Sequence, residues 1–170
     1  MKAFLKKTAV ILGIVAVLGI LALVDTVISK TYAFELLSVE RISDGPVYDA
    51  YGEPVPSDWG VADGQTKVVF SVLLTRNGKP VSGHVLYAKT NRNVIGRIAT
   101  DENGVAVIEY RCYKGNKSNV KPVTLSLRDE DNSVFITVSA RAEYVLQMAA
   151  PAVENGNGMM TDDIFYDISR

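Results

Sequence analysis

The sequence predicts an all-β domain, a two-sheet sandwich of about seven strands, preceded by one transmembrane helix. Three observations carry that expectation. From Thr31 to Leu146 apolar residues recur with a period near two, as on strands with one buried face, and not with the 3.6-residue period of helices. The breaks between these runs are clusters of Gly, Asn, Asp and Pro at strand-like intervals. Ahead of them stands TAVILGIVAVLGILALV, Thr8 to Val24, a run of 17 residues without a charge.

The apolar run covers about 26 Å at ~1.5 Å per helical residue, and continuation through Asp25 to Ser29 completes a bilayer span of ~30 Å. It exceeds the apolar region of a cleaved signal, about 7 to 15 residues, and follows Lys2, Lys6 and Lys7. Residues 1–30 are therefore expected to be an uncleaved signal anchor in the cell membrane. The lysines would lie in the cytoplasm, and residues 31–147 would form an extracytoplasmic domain. A cleaved secretory signal is the competing reading, with Val27-Ile28-Ser29 or Thr31-Tyr32-Ala33 as cleavage contexts. Gly13 and Gly19 stand six apart, so the spacing that pairs membrane helices is absent.

Leu36 to Ile42 is the first expected strand. The stretch from Ser43 to Gly60 (SDGPVYDAYGEPVPSDWG) is a long loop, because three prolines and three glycines oppose regular structure. Thr66 to Thr75 places Val68, Phe70, Val72 and Leu74 on one face. Asn77-Gly78 then suits a tight hairpin, since both residues accept positive φ. Val81 to Lys89, Val94 to Ala99 and Val105 to Tyr113 follow, the last two joined by a second Asn-Gly turn at Asn103-Gly104. Val120 to Leu127 and Val134 to Tyr144 complete the set. Amphipathic sheets hide their apolar faces by stacking, which gives a sandwich, with a small closed barrel as the alternative. Trp59 falls in the loop and is expected to plug one end of the domain.

Three blocks then suggest a family. Ala62-Asp63-Gly64 precedes an apolar strand, Asn77-Gly78-Lys79-Pro80-Val81-Ser82-Gly83 follows it, and Thr100 to Ala106 (TDENGVA) comes third. In this order and at these distances they resemble bacterial Ig-like domains of the invasin and intimin type, over roughly Val61 to Ala142. The resemblance implies an Ig-like sandwich and a setting at the bacterial surface.

Composition excludes several classes of function. The 170 residues carry a net charge of −1, and the first 30 hold four lysines against Asp25. From Thr31 onward 14 basic groups face 18 acidic ones, with no basic run, so nucleic acid is not an expected partner. Cys112 is the only cysteine, so no intramolecular disulfide forms. It shares strand parity with Ala106, Ile108 and Tyr110 and is expected to be a small buried residue. His84 is the only histidine and has no zinc set around it. No nucleophile elbow is present, and Asp129-Glu130-Asp131 is expected as a solvated turn ahead of a calcium site. No enzyme, metal or cofactor is indicated.

Residues 148–170 change character, with the linker Glu154 to Gly158 and then Met159 to Ile168 (MMTDDIFYDI). Met159, Met160, Ile164, Phe165, Tyr166 and Ile168 make this a candidate docking segment. The expected role is a membrane-anchored structural or interaction protein at the cell surface. It would act through protein contacts as a homo-oligomer or as a subunit of an envelope or filamentous assembly. The alternative is an adhesin-like module that binds a carbohydrate or host-surface ligand through Tyr48, Tyr51 and Trp59.

Overall fold

In the computed structural model of the chain, residues 2–29, 31–130 and 140–152 are described, with side chains inside the helix described at 10–24 and 27. Helix α1 runs from Lys2 to Ser29. Among the described residues no helix is long and apolar enough to cross a membrane. The expected transmembrane segment from Thr8 to Val24 is corrected accordingly. So is the single-pass location in the cell membrane, with a cytoplasmic N-terminus and an extracytoplasmic domain.

The rest of the described chain is all-β, as its period-two patterning predicts. The strands are β1 (Tyr32–Ile42), β2 (Gly60–Val61), β3 (Lys67–Arg76), β4 (Lys79–Pro80), β5 (Val85–Thr90), β6 (Val94–Ala99), β7 (Val105–Arg111), β8 (Val123–Asp129), β9 (Arg141–Leu146) and β10 (Met148–Ala149). They form one sheet ordered β1-β3-β4 with β7 also on β3, a second ordered β6-β5-β8-β9, and the pair β10-β2. The fold is sandwich-like. By residue contacts the chain divides into two compact units, one of Met1–Ser38, Phe70–Glu109 and Val123–Val145, the other of Val39–Val69, Tyr110–Pro122 and Leu146–Arg170.

In the first unit the core is made of alternate residues. Phe70, Val72 and Leu74 of β3, Ala106 and Ile108 of β7, Leu86 and Ala88 of β5, and Val123, Leu125 and Leu127 of β8 are all buried. Their intervening neighbours are partly or fully exposed, the pattern of a strand that hides one face. The hairpin from β3 to β4 turns through Asn77 (φ 51°) and Gly78 (φ 76°), as the Asn-Gly signal predicts. The second turn is built by Asp101, whose Oδ1 accepts N–H bonds from Asn103 and Val105 at 2.8 Å each. Gly104 closes it at φ +78°, where a Cβ would come within 2.8 Å of the Val81 nitrogen and 3.0 Å of the Leu74 oxygen. Only glycine fits there.

In the second unit β2 and β10 pair in parallel, Met148 opposite Gly60 and Ala149 opposite Val61. Met148 and Ala149, where the sequence pattern suggests that a tail begins, are thus buried strand residues. Gly60 makes this close approach feasible, since a Cβ would lie 2.6 Å from Met148 Sδ and 2.8 Å from Cys112 Sγ. Arg41 organises the long loop. Its Nη1 donates to the carbonyls of Pro56 (2.7 Å) and Trp59 (3.0 Å), and its Nη2 to that of Val55 (3.0 Å). Three backbone acceptors that no ladder serves are satisfied by one side chain. Val55, Val61 and Ala149 form a small core against which Val47 and Trp59 pack.

Candidate functional site

Two features of the first unit concentrate polar chemistry, one inside the fold and one on the surface. The inner feature joins His84 and Asp129, which are 5% and 2% exposed. His84 Nε2 and Asp129 Oδ1 are 2.7 Å apart in a hydrogen bond. Strand parity explains the meeting. Asp129 continues the inward row Val123, Leu125 and Leu127, and His84 precedes the inward row Leu86 and Ala88. Leu86 lies opposite Asp129 in the antiparallel register, so His84 is its diagonal neighbour. The Tyr32 ring sits 5.1 Å from the imidazole, and the Arg76 guanidinium lies 5.4 Å over that ring. Thr100 Oγ1 accepts the His84 backbone N–H at 2.9 Å and donates to the Val81 carbonyl at 2.6 Å. This cluster ties strand ends together and offers no open face to a substrate.

The surface feature is a cleft of about 130 Å³ on the outer side of the β5-β8-β9 sheet, lined by Tyr87, Lys89, Ser126, Arg128, Arg141 and Glu143 among others. Tyr87 stands opposite Arg128 on β8 and Arg97 on β6. The Arg128 guanidinium lies 4.8 Å over the Tyr87 ring, a stacking geometry that fixes both side chains. Arg97 Nε and Arg128 Nη2 donate to the two oxygens of Glu130 at 2.5 and 2.6 Å. Those two guanidinium groups, Arg97 first, hold the Glu130 carboxyl below the usual carboxylate range. Ser126 Oγ donates to Glu143 at 3.4 Å. Within the lining three bases face one acid, against the acidic balance of the chain from Thr31 onward.

Tyr48 and Tyr51 are exposed, 51% and 72%, and Lys117 Nζ lies 5.3 Å over the Tyr51 ring. Trp59 is partly buried and packs against Val55, Val61 and Ala149. Tyr110 and Cys112 are core residues, and Tyr113 Oη donates to the Lys121 carbonyl at 2.9 Å and accepts its N–H at 2.7 Å. Burial pushes the Cys112 thiol up to about 11. Of the acidic turn, Asp129 points inward to His84, Glu130 is clasped by arginines, and Asp131 lies outside the described residues, as do Met159, Met160, Ile164, Phe165, Tyr166 and Ile168.

No family model, curated protein or solved structure matches this chain. The cleft leaves no local signature in the sequence, because its residues come from three strands whose register is set over long separations. Alternation along β5 and β8 was the available signal, since it puts Tyr87, Lys89, Ser126 and Arg128 on the outward side.

Proposed function

We infer that the protein is an interaction module, an Ig-like sandwich that grips an acidic, aromatic-bearing segment of a partner protein in the β5-β8-β9 cleft. The observation that carries this reading is the Arg128–Tyr87 stack flanked by Lys89 and Arg141 in a surface cleft where bases outnumber acids. A guanidinium ordered on an aromatic face loses little side-chain entropy when a carboxylate arrives, and it presents a planar fork suited to one. Glu130, already held by Arg97 and Arg128, is an internal precedent for that recognition. The Ig-like part of the reading is supported by strand order. With β1 as strand A, β3, β5, β7, β8 and β9 take the places of B, C, E, F and G, so that A-B-E lies in one sheet and G-F-C in the other.

The test is a titration of the full chain with labelled peptides that alternate Asp and Phe, beside counterparts with Asn in place of Asp. Saturable binding of the acidic peptide is expected, weakened about tenfold or more in Arg141→Glu and reduced by salt. Equal binding of the acidic and amide peptides would contradict the reading.

A second reading, capture of a carbohydrate by the loop of Tyr48, Tyr51 and Trp59, draws on the exposure of the two tyrosines. The packing of Trp59 on Val55 and Ala149 weighs against it. Sugar binding that disappears in Trp59→Ala would favour it.

A further inference from the structure

The register of the second sheet lines up the arginines of the cleft. Tyr87 of β5 stands opposite Arg97 of β6 and opposite Arg128 of β8. Between β8 and β9 the Asp129 N–H donates to the Ala140 carbonyl at 2.9 Å, and Ser126 Oγ donates to Glu143 at 3.4 Å. Antiparallel strands joined by those two contacts hold Arg128 directly opposite Arg141. One row across the outer face of the sheet therefore runs Arg97, Tyr87, Arg128, Arg141. We propose that the acidic group this cleft takes is a phosphoryl monoester on the partner segment, held between Arg128 and Arg141, an inference that rests on the cleft being the recognition surface.

The argument is one of charge and donor count. Arg128 and Arg141 both line the cleft, and a non-hydrogen-bonded cross-strand pair of this kind sets its Cα atoms about 4.5 Å apart. Like charges so placed destabilise a sheet, so the stability of the fold does not account for the pair. Glu130 divides its carboxylate between Arg97 and Arg128, a single negative charge against two guanidinium groups. The Arg128 fork keeps donors in hand. Glu130 takes a bond from its Nη2, and among the described residues its Nε is without a hydrogen-bond partner.

A phosphoryl group answers this arrangement better than a second carboxylate. Within the lining Lys89, Arg128 and Arg141 stand against Glu143, which leaves a surplus of two positive charges. A phosphoryl monoester brings about −1.5 to −2 charges at pH 7 and three strong acceptor oxygens. Two of the oxygens serve the facing guanidinium forks, whose planar geometry suits phosphate, and the third is left for Lys89. A carboxylate brings one charge and two oxygens, so it balances half of the surplus and leaves Lys89 without its share.

Calorimetric titration of the full chain with a matched pair of peptides tests this. Both alternate Asp and Phe, and in one of them the central Asp is replaced by phosphoserine. The phosphopeptide is expected to bind about tenfold or more tightly than its all-Asp counterpart. In Arg141→Lys, which keeps the charge and loses the fork, that advantage is expected to fall below about threefold. Equal affinity for the two peptides would overturn the phosphoryl assignment and leave the cleft as a carboxylate site. An advantage fully retained in Arg141→Lys would overturn the placement of the group between the two arginines. Displacement of the phosphopeptide by an equimolar amount of inorganic phosphate would assign the site to the free anion and overturn its assignment to a partner segment. Binding of neither peptide would overturn this inference together with the reading on which it rests.

Discussion

His84 and Asp129 illustrate how a buried polar pair constrains a small core. Each satisfies the other at 2.7 Å, so His84→Ala or Asp129→Ala leaves its partner buried without that bond and is expected to destabilise by about 1–3 kcal/mol. The double variant is expected to lose less than the sum of the two, a coupling that urea denaturation of the four proteins measures. Cys112 gives a chemical test. Its thiol, raised to about 11 by burial, is expected to resist a thiol reagent at pH 8 in the native protein and to react at once in denaturant. The folded chain holds this proton more tightly than the unfolded chain does. The stabilisation is therefore full below the ordinary thiol value of about 8.5 and fades as pH rises from there through about 11. Glu130 has the opposite sign. Its folded value lies below that of a free glutamate, so its contribution is complete above about pH 4.3 and disappears as pH falls through the lower folded value. Glu130→Gln is expected to flatten the acid limb of a pH–stability curve.

At the scale of elements, the strands whose apolar residues alternate cleanly were the most legible. β3, β6 and β7 sit where Thr66 to Thr75, Val94 to Ala99 and Val105 to Tyr113 predict them. Val81 to Lys89 was expected to be one strand, but the ladder starts only at Val85. The Val81 carbonyl is taken by Thr100 Oγ1 and the Gly83 N–H by the Thr100 carbonyl, so side-chain chemistry replaces sheet pairing there. β8 extends to Asp129, beyond the expected end at Leu127, because the pairing of Asp129 with His84 lets a carboxylate continue an inward row. Such a partner is 45 residues away and leaves no local trace. The long loop posed the same difficulty, since its order depends on Arg41. Arg41→Ala is expected to speed amide exchange across residues 55–60 while leaving β8 protected, a contrast that hydrogen exchange resolves. Gly104→Ala is expected to destabilise by roughly 2 kcal/mol or more through positive φ and backbone crowding, and Leu125→Ala by about 2–5 kcal/mol through a core cavity. Chemical denaturation reads both.

For the molecule as a whole, the sequence carried the β architecture further than it carried the surface. Apolar alternation fixes which face of each strand is buried, and thereby which side chains are left outside. Tyr87, Lys89, Arg128 and Arg141 are ordinary surface residues until β5, β8 and β9 stand side by side, and only then do they form a basic aromatic cleft. The apolar run from Thr8 to Val24 showed the converse limit. Its composition predicted a membrane span, whereas the described residues contain no helix long and apolar enough for one. The central claim is that the outer β5-β8-β9 surface recognises acidic segments. Nuclear magnetic resonance of the isotope-labelled full chain during titration with an acidic aromatic peptide tests it most directly. The account expects the amides of Tyr87, Lys89, Ser126, Arg128 and Arg141 to Glu143 to shift together and to saturate together. Shifts confined to Tyr48 through Trp59, or no shifts at all, would contradict it.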